Sequence, residues 1–276
     1  MRGRPVQNVG VQALLTVPFI LLGLAVGSFL NVCIDRLPGG RSIVSPPSRC
    51  DQCQRRLAVA DLIPVFSYLW LRGRCRYCGA VLPKRLVLVE LACGAMLGAL
   101  YLVFGLEAEF GVAGFWGCLF IVIFVIDLER GLVLNKVVYP SLVVAIVFAA
   151  LITNLPWLKG VGAMEEWPQI AIAALGGGVG FLFFVWLAVF AAVVLHKEGL
   201  GGGDVKLAAL LGLVCGFPLI LLVIVLGAIV GLVMALAMGR LKGGDTMPFG
   251  SALVIATVIA MVAGQHLMDW LVRLYS

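Results

Sequence analysis

Two sets of residues in this sequence have types and spacings that can do chemistry. Cys50, Cys53, Cys75 and Cys78 form one C-x2-C pair, an intervening stretch of 21 residues, and a second C-x2-C pair. Two close thiolate pairs can converge on a single tetrahedral ion, and this spacing resembles a four-thiolate zinc site. Each two-residue gap lets a pair share a tight turn. No fifth ligand or open position is evident, so the expected role of the metal is structural. Two disulfides or four free thiols are the alternatives. The second set is a pair of carboxylates. Asp127 directly follows the apolar run Leu119 to Ile126, and Asp204 closes Gly201-Gly202-Gly203-Asp204, just ahead of another apolar run. Two carboxylates in one partly dry site cannot both ionise cheaply. One can then activate a water while the other, protonated, polarises a peptide carbonyl and later protonates the leaving amine. Glycines ahead of Asp204 allow close approach of a substrate strand. Each aspartate could instead merely cap a helix or mark an interface.

The elements that must position these residues are written in the composition. Hydrophobic residues make up 62% of the 276, and charged residues only 12%, with a mean hydropathy of +1.12. A soluble domain is about half apolar and about a quarter charged, so most of this surface is expected to face lipid. Uncharged runs cover 5–34, 91–106, 110–126, 137–158, 167–195, 207–239 and 246–268. A bilayer core of ~30 Å takes about 20 helical residues. The 207–239 run is too long for one span and carries Gly216-Phe217-Pro218 near its middle, where proline breaks the helix. It is expected to form two short spans joined by a tight turn. The 91–106 run is short and should borrow residues from about 86. The expected fold is therefore all-α and polytopic, with about eight transmembrane helices. A small Cys-rich domain lies between the first and second.

Orientation follows from lysine and arginine. The segment 35–85 carries ten of the 20 basic residues, and loops 127–136, 196–206 and 239–248 add Arg130, Lys136, Lys197, Lys206, Arg240 and Lys242. With eight spans these segments share one face, which the positive-inside rule makes cytoplasmic. Both termini are then outside, on the face of Arg2, Arg4, Lys159 and Arg273. The net charge of +6 calls for no nucleic acid, since basic inner loops beside anionic membrane lipid account for it. Arg2, Arg4 and the small residues around Ala25 to Ser28 also resemble a signal peptide, a reading that would export all ten basic residues of 35–85. Domain organisation is read as residues 1–34, a first transmembrane helix; 35–85, the cytoplasmic Cys-tetrad domain; and 86–276, the membrane domain holding the aspartates. Between these sites, Gly23/Gly27, Gly94/Gly98 and Gly176/Gly180 sit four apart, as at close helix contacts. Cys33, Cys93, Cys118 and Cys215 lie in or beside apolar runs and read as small hydrophobes.

Longer strings add a family resemblance. Glu198-Gly199-Leu200-Gly201-Gly202-Gly203-Asp204-Val205-Lys206-Leu207 closely resembles the second aspartate motif of type IV prepilin peptidases. Asp127-Leu128-Glu129-Arg130, ending at Leu134-Asn135, resembles the first, with Leu134 where the family usually has proline. Gly27-Ser28-Phe29-Leu30-Asn31-Val32-Cys33-Ile34-Asp35-Arg36-Leu37-Pro38 resembles the family's first helix and its exit. Asp61 to Leu69 and Leu71 to Cys78 resemble its cytoplasmic domain. Met247-Pro248-Phe249-Gly250 resembles its late Pro-Phe-Gly motif, although Ser251-Ala252 follows where Pro-Phe is usual. Leu86 and Val87 replace a usual Tyr-Pro.

The resemblance implies a bifunctional enzyme of the bacterial inner membrane with its active site on the cytoplasmic side. Such enzymes cut the basic leader from prepilins and pseudopilins of type IV pilus and type II secretion systems. They then N-methylate the new N-terminal residue from S-adenosylmethionine. It carries Asp127 and Asp204 over as the catalytic pair, supported by Gly201, Gly203, Pro248, Phe249 and Gly250. Lys206 is placed to steer the dyad's charge or a substrate glutamate. For methyl transfer the attacking amine must be neutral, and Asp61 and Glu90 are the candidates to orient it and take its proton. Glu90 can equally be a helix-end residue paired with Lys84 or Arg85. No Rossmann-type glycine fingerprint marks a methyl-donor site. An apolar groove among the helices is expected to take the pilin's hydrophobic helix.

Rival readings are a peptidase without methyl transfer, a presenilin-like intramembrane protease, and a non-enzymatic transporter or zinc-binding sensor. The presenilin-like reading leaves the tetrad domain and the Gly27–Pro38 string unexplained. Transport would call for ionisable residues at mid-bilayer depth, whereas the acids here sit at helix ends.

Overall fold

The computed structural model describes residues 9–152, 155–159, 164–194, 201–238 and 248–275. Arg2, Arg4, Lys197, the Glu198-Gly199-Leu200 part of the aspartate motif, Arg240, Lys242 and Met247 lie outside the described residues. Among the described residues the fold is helical. In chain order it has α1 (Val9–Arg36), a 3-10 turn (Val59–Leu62), α2 (Phe66–Trp70), α3 (Arg85–Phe104), α4 (Ala108–Arg130), α5 (Asn135–Leu151), α6 (Gln169–Val194), α7 (Gly202–Cys215), α8 (Leu219–Ala237) and α9 (Phe249–Tyr275).

Among the described residues, five helices are long and apolar enough to cross a bilayer: α1 over Leu14–Arg36, α3, α4, α6 and α8. Asn135–Leu151 and Phe249–Gly264 are shorter apolar helices. The chain is a multi-pass membrane protein; among the described residues each expected apolar segment is helical over at least part of its length, and five of these helices reach the length of a full span. As expected, α3 borrows residues ahead of its apolar run and starts at Arg85. The 207–239 run breaks where proline demands: α7 ends at Cys215, Gly216 takes φ +74, and Pro218 precedes α8. One helix stops well short of its run. The run expected to be helical through 158 leaves the helix at Leu151, and Leu155, Trp157 and Leu158 are buried in a non-helical connection. Pro156 disfavours helix at the residue before it, and the apolar side chains continue to be buried without it.

The chain divides into two compact units, Met1–Val122 and Ile123–Ser276. In the first, α1 and α3 pack closely through glycine. A Cβ placed on Gly27 would lie 2.7 Å from the Glu90 Cα, so only glycine lets the two backbones come this near. At the end of this pair, Asn31 Nδ2 donates to the Leu86 carbonyl at 2.9 Å, and Arg85 pairs with Asp35 at 2.7 Å. Both bonds fix where the Cys module leaves α1 and rejoins α3. In the second unit, α6 packs on α7 and α8 on α9. The α6 residues Gly176, Gly177 and Gly180 lie against the α7 backbone, as the small-residue spacing anticipated.

Candidate active site

α4 carries Asp127 in its last turn. The residue is buried at 3% exposure, which is costly for a carboxylate without donors. Its donors come from the start of α9. Ser251 gives its backbone N–H to Asp127 Oδ2 at 2.5 Å and its hydroxyl to the same oxygen at 2.7 Å. The hydroxyl also lies 3.3 Å from the Phe124 carbonyl. The residue just before, Gly250, faces the carboxyl directly: a Cβ there would stand 3.1 Å from Asp127 Cγ and 3.2 Å from Leu207 Cδ2. The Pro-Phe-Gly segment thus meets the first aspartate, with Pro248 and Phe249 leading into the helix that delivers the donors.

Asp204 sits in the first turn of α7, where a helix N-terminus favours negative charge. Gly201 precedes the helix and its carbonyl accepts the Asp204 N–H at 3.0 Å. Gly203 packs onto Val133, whose Cβ lies 2.9 Å from where a side-chain carbon would be. Asp127 is the charged neighbour acting on Asp204. The two carboxyls, 77 positions apart in the sequence and both at helix ends, lie near enough for the charge of Asp127 to act on Asp204. Such a pair readily holds one proton between two carboxyls, the protonation state that activates water on one side and polarises a carbonyl on the other.

Lys206 goes elsewhere. Its Nζ lies 3.1 Å from Asn135 Oδ1 and 5.3 Å from the centre of the Tyr139 ring. It ties α7 to the start of α5, contacts that structural packing explains. Ser251 was not among the sequence-derived site residues. Its only trace is its place after Pro248-Phe249-Gly250, in a position where the resembling family usually has proline.

In the first unit the four cysteines of the module meet. Their Sγ atoms all lie within 4.8 Å of one another, with Cys50 and Cys78 3.8 Å apart. A tetrahedral zinc site with Zn–S of ~2.3 Å places its sulfurs about 3.8 Å apart, so this donor set fits such an ion. Each C-x2-C forms the tight turn its spacing requires. Cys50 accepts from Gln54 N–H and Cys75 from Gly79 N–H, and isolated bridges Arg49–Arg56 and Arg74–Val81 close the two turns. The two knuckles repeat with a 25-residue offset, Gln54 (φ 55) standing where Gly79 (φ 71) stands. Backbone N–H groups of Tyr77 and Cys78 hold the Cys75 thiol down at about 7, toward the thiolate that a metal takes.

Asp61 and Glu90 occupy different settings. Asp61 pairs with Arg76 at 2.6 Å and accepts the Ala58 N–H at 3.1 Å. Glu90 is buried, and its Oε2 accepts the Val65 N–H at 2.7 Å. Arg85, one of its two expected partners, pairs with Asp35 instead. Val65 has φ 61, a left-handed backbone that a β-branched residue rarely adopts, so Glu90 holds a strained turn.

Comparison with known proteins agrees with this division. Residues 21–104 match the bacterial peptidase A24 N-terminal domain model, and residues 114–236 match the model of the type IV leader peptidase family. A Bacillus subtilis (strain 168) protein named prepilin leader peptidase/N-methyltransferase is 30% identical over 95% of this chain and 99% of its own length. Proteins of the same name from Stutzerimonas stutzeri and Pseudomonas aeruginosa are each 32% identical over 90% of both chains. No solved structure gives a significant match. With relatives at this identity along almost its whole length, the chain belongs to the type IV leader peptidase family.

Proposed function

We propose that this protein cleaves the leader peptide of type IV prepilins or pseudopilins at the cytoplasmic face of a bacterial inner membrane. It then methylates the new N-terminal amine. The observation that carries the reading is the charge-coupled pair Asp127–Asp204, seated at two helix ends beside the donors of Ser251. One carboxylate, ionised, takes a proton from the attacking water as its oxygen bonds to the scissile carbonyl carbon. The other, protonated, donates to that carbonyl oxygen. Collapse of the tetrahedral intermediate breaks the C–N bond, and the leaving amine takes a proton from the dyad. Gly250 lets the start of α9 pack directly on the Asp127 carboxyl, and Gly203 lets the start of α7 pack on Val133. The membrane domain from 86 to 276 carries this chemistry.

Methyl transfer is assigned to the 35–85 module with the ends of α1 and α3. S-adenosylmethionine, when bound, supplies the methyl group. Two buried acceptors of the α1–α3 pair suit an amine or an adenine amino group: the Glu90 carboxylate and Asn31 Oδ1, which has no hydrogen-bond partner. Asp61, committed to Arg76, takes a supporting place in the module. Zinc held by Cys50, Cys53, Cys75 and Cys78 would fix the two knuckles, because a module of this size has little apolar core of its own. Eight membrane crossings with both termini outside put the basic module and both aspartates on the cytoplasmic side.

Incubating the purified protein with a synthetic prepilin segment and S-adenosylmethionine tests the proposal by mass spectrometry. Leader loss with one methyl group added to the new N-terminus is expected. Intact substrate in the presence of folded enzyme overturns it.

A further inference from the structure

One strip of the Cys module is exposed and apolar where a water-facing domain is normally polar. Val59, Leu62, Ile63, Phe66, Leu69 and Trp70 recur every three or four residues, and all are exposed, Trp70 at 72%. The Phe66 and Trp70 rings stack with centroids 5.9 Å apart, so the strip presents a continuous aromatic end. Contiguous apolar exposure of this kind marks a surface that something covers.

The hydrogen bonds of the module show at what level the strip sits. Val65 N–H is held by Glu90, which lies five residues into α3, a helix long and apolar enough to span. At 1.5 Å per residue this is roughly 7.5 Å past the helix start. Tyr68 Oη reaches the Leu82 carbonyl at 3.4 Å, just ahead of the same helix. The strip is therefore tethered beside the first turns of a membrane span. Leu88 and Leu91, which flank Glu90 in sequence, are themselves exposed on α3. Charge completes the picture. The segment 35–85 has ten basic residues against Asp35, Asp51 and Asp61, and two of those aspartates are already paired, with Arg85 and Arg76. Arg55, Arg56, Arg72, Arg74 and Lys84 are exposed.

We propose that this strip is an interfacial anchor, and that its occupant is the surface of a bilayer containing anionic lipid. Phe66, Leu69 and Trp70 enter the boundary between headgroups and acyl chains, where aromatic side chains are favoured. The surrounding arginines and Lys84 meet the lipid phosphates, whose negative surface potential attracts basic residues close to the membrane. The module then rests on the membrane rather than standing away from it. This is independent of which reaction the protein catalyses, so it stands or falls apart from the peptidase reading.

The test is fluorine NMR of the full chain labelled with 5-fluorotryptophan in phosphatidylglycerol nanodiscs. The Trp70→Phe variant identifies the Trp70 line. A lipid spin-labelled near its headgroup should broaden that line, and a water-soluble gadolinium chelate should leave it sharp. Broadening by the chelate but not by the labelled lipid overturns the proposal, as does protection from both. Shielding that arises only when a synthetic prepilin segment is added would make the strip a substrate surface, which also overturns it. Hydrogen exchange needs no variant: amides of 66–71 should exchange more slowly in phosphatidylglycerol than in phosphatidylcholine nanodiscs. Equal rates contradict the role of anionic lipid.

Discussion

Ser251 places two donors on a single oxygen of Asp127, its backbone N–H at 2.5 Å and its hydroxyl at 2.7 Å. A buried carboxylate is tolerated only with such partners, and the pair also fixes which way the carboxyl plane faces. Ser251→Ala removes the hydroxyl and keeps the N–H. A hydrogen bond to a charged group contributes about 1.5–3 kcal/mol, so kcat/KM for prepilin cleavage should fall by roughly ten- to a hundredfold. Steady-state cleavage assays check this; an unchanged Ser251→Ala enzyme would show that the hydroxyl has no part in the reaction.

Gly250→Ala tests the crowding on the other side of Asp127. The added carbon would stand 3.1 Å from the carboxyl carbon, and the backbone of α9 cannot move without taking Ser251 with it. Displacements well under 1 Å already cost rate in a preorganised site, and cleavage should slow by about tenfold with the fold retained. Melting curves beside the kinetics separate the two effects. Loss of stability without loss of rate in the surviving protein would point to packing alone.

Cys50→Ser and Cys75→Ser bear on the module. The wild-type protein should carry about one zinc per chain, and either variant should carry little. Methylation should disappear with the metal, while cleavage, which uses residues of the other unit, should persist. Elemental analysis and product mass read both outcomes. Full methylation by a zinc-free variant would contradict a structural metal.

Glu90→Ala leaves the Val65 N–H without its acceptor in a turn of unfavourable φ. An unsatisfied buried donor costs about 1–3 kcal/mol, so local opening of the module should increase on the order of tenfold. Limited trypsin digestion at the module's arginines reports this opening. Methylation should decline more than cleavage; equal decline of both would place Glu90 in general stability instead.

Much of this arrangement could be read from residue types. The C-x2-C pairs announced a convergent cluster because thiolates at that spacing have few other uses, and the knuckles form as the gaps require. The lengths of uncharged runs located the helices, and Gly216-Phe217-Pro218 located the break between α7 and α8. Spacing also led to the expectation that Asp127 and Asp204 share one face, since two apolar runs lie between them. What escaped was lateral pairing. Nothing local in the sequence ties Ser251 to a carboxylate 124 positions away, Lys206 to Asn135, or Glu90 to the amide of Val65. Those contacts follow from which helix lies beside which, and hydropathy carries no such information. The helix ending at Leu151 escaped for a related reason: buried apolar side chains continue past Pro156 without a helix to carry them.

The central claim is that Asp127 and Asp204 together perform the cleavage. The most direct measurement is the mass of a synthetic prepilin segment after incubation with the wild-type protein, Asp127→Asn and Asp204→Asn, each shown to be folded. Leader removal by the wild type and none by either variant is expected, since one amide in place of one carboxyl leaves a single carboxyl where the reaction needs both an acid and a base. Cleavage at an undiminished rate by either folded variant would contradict it.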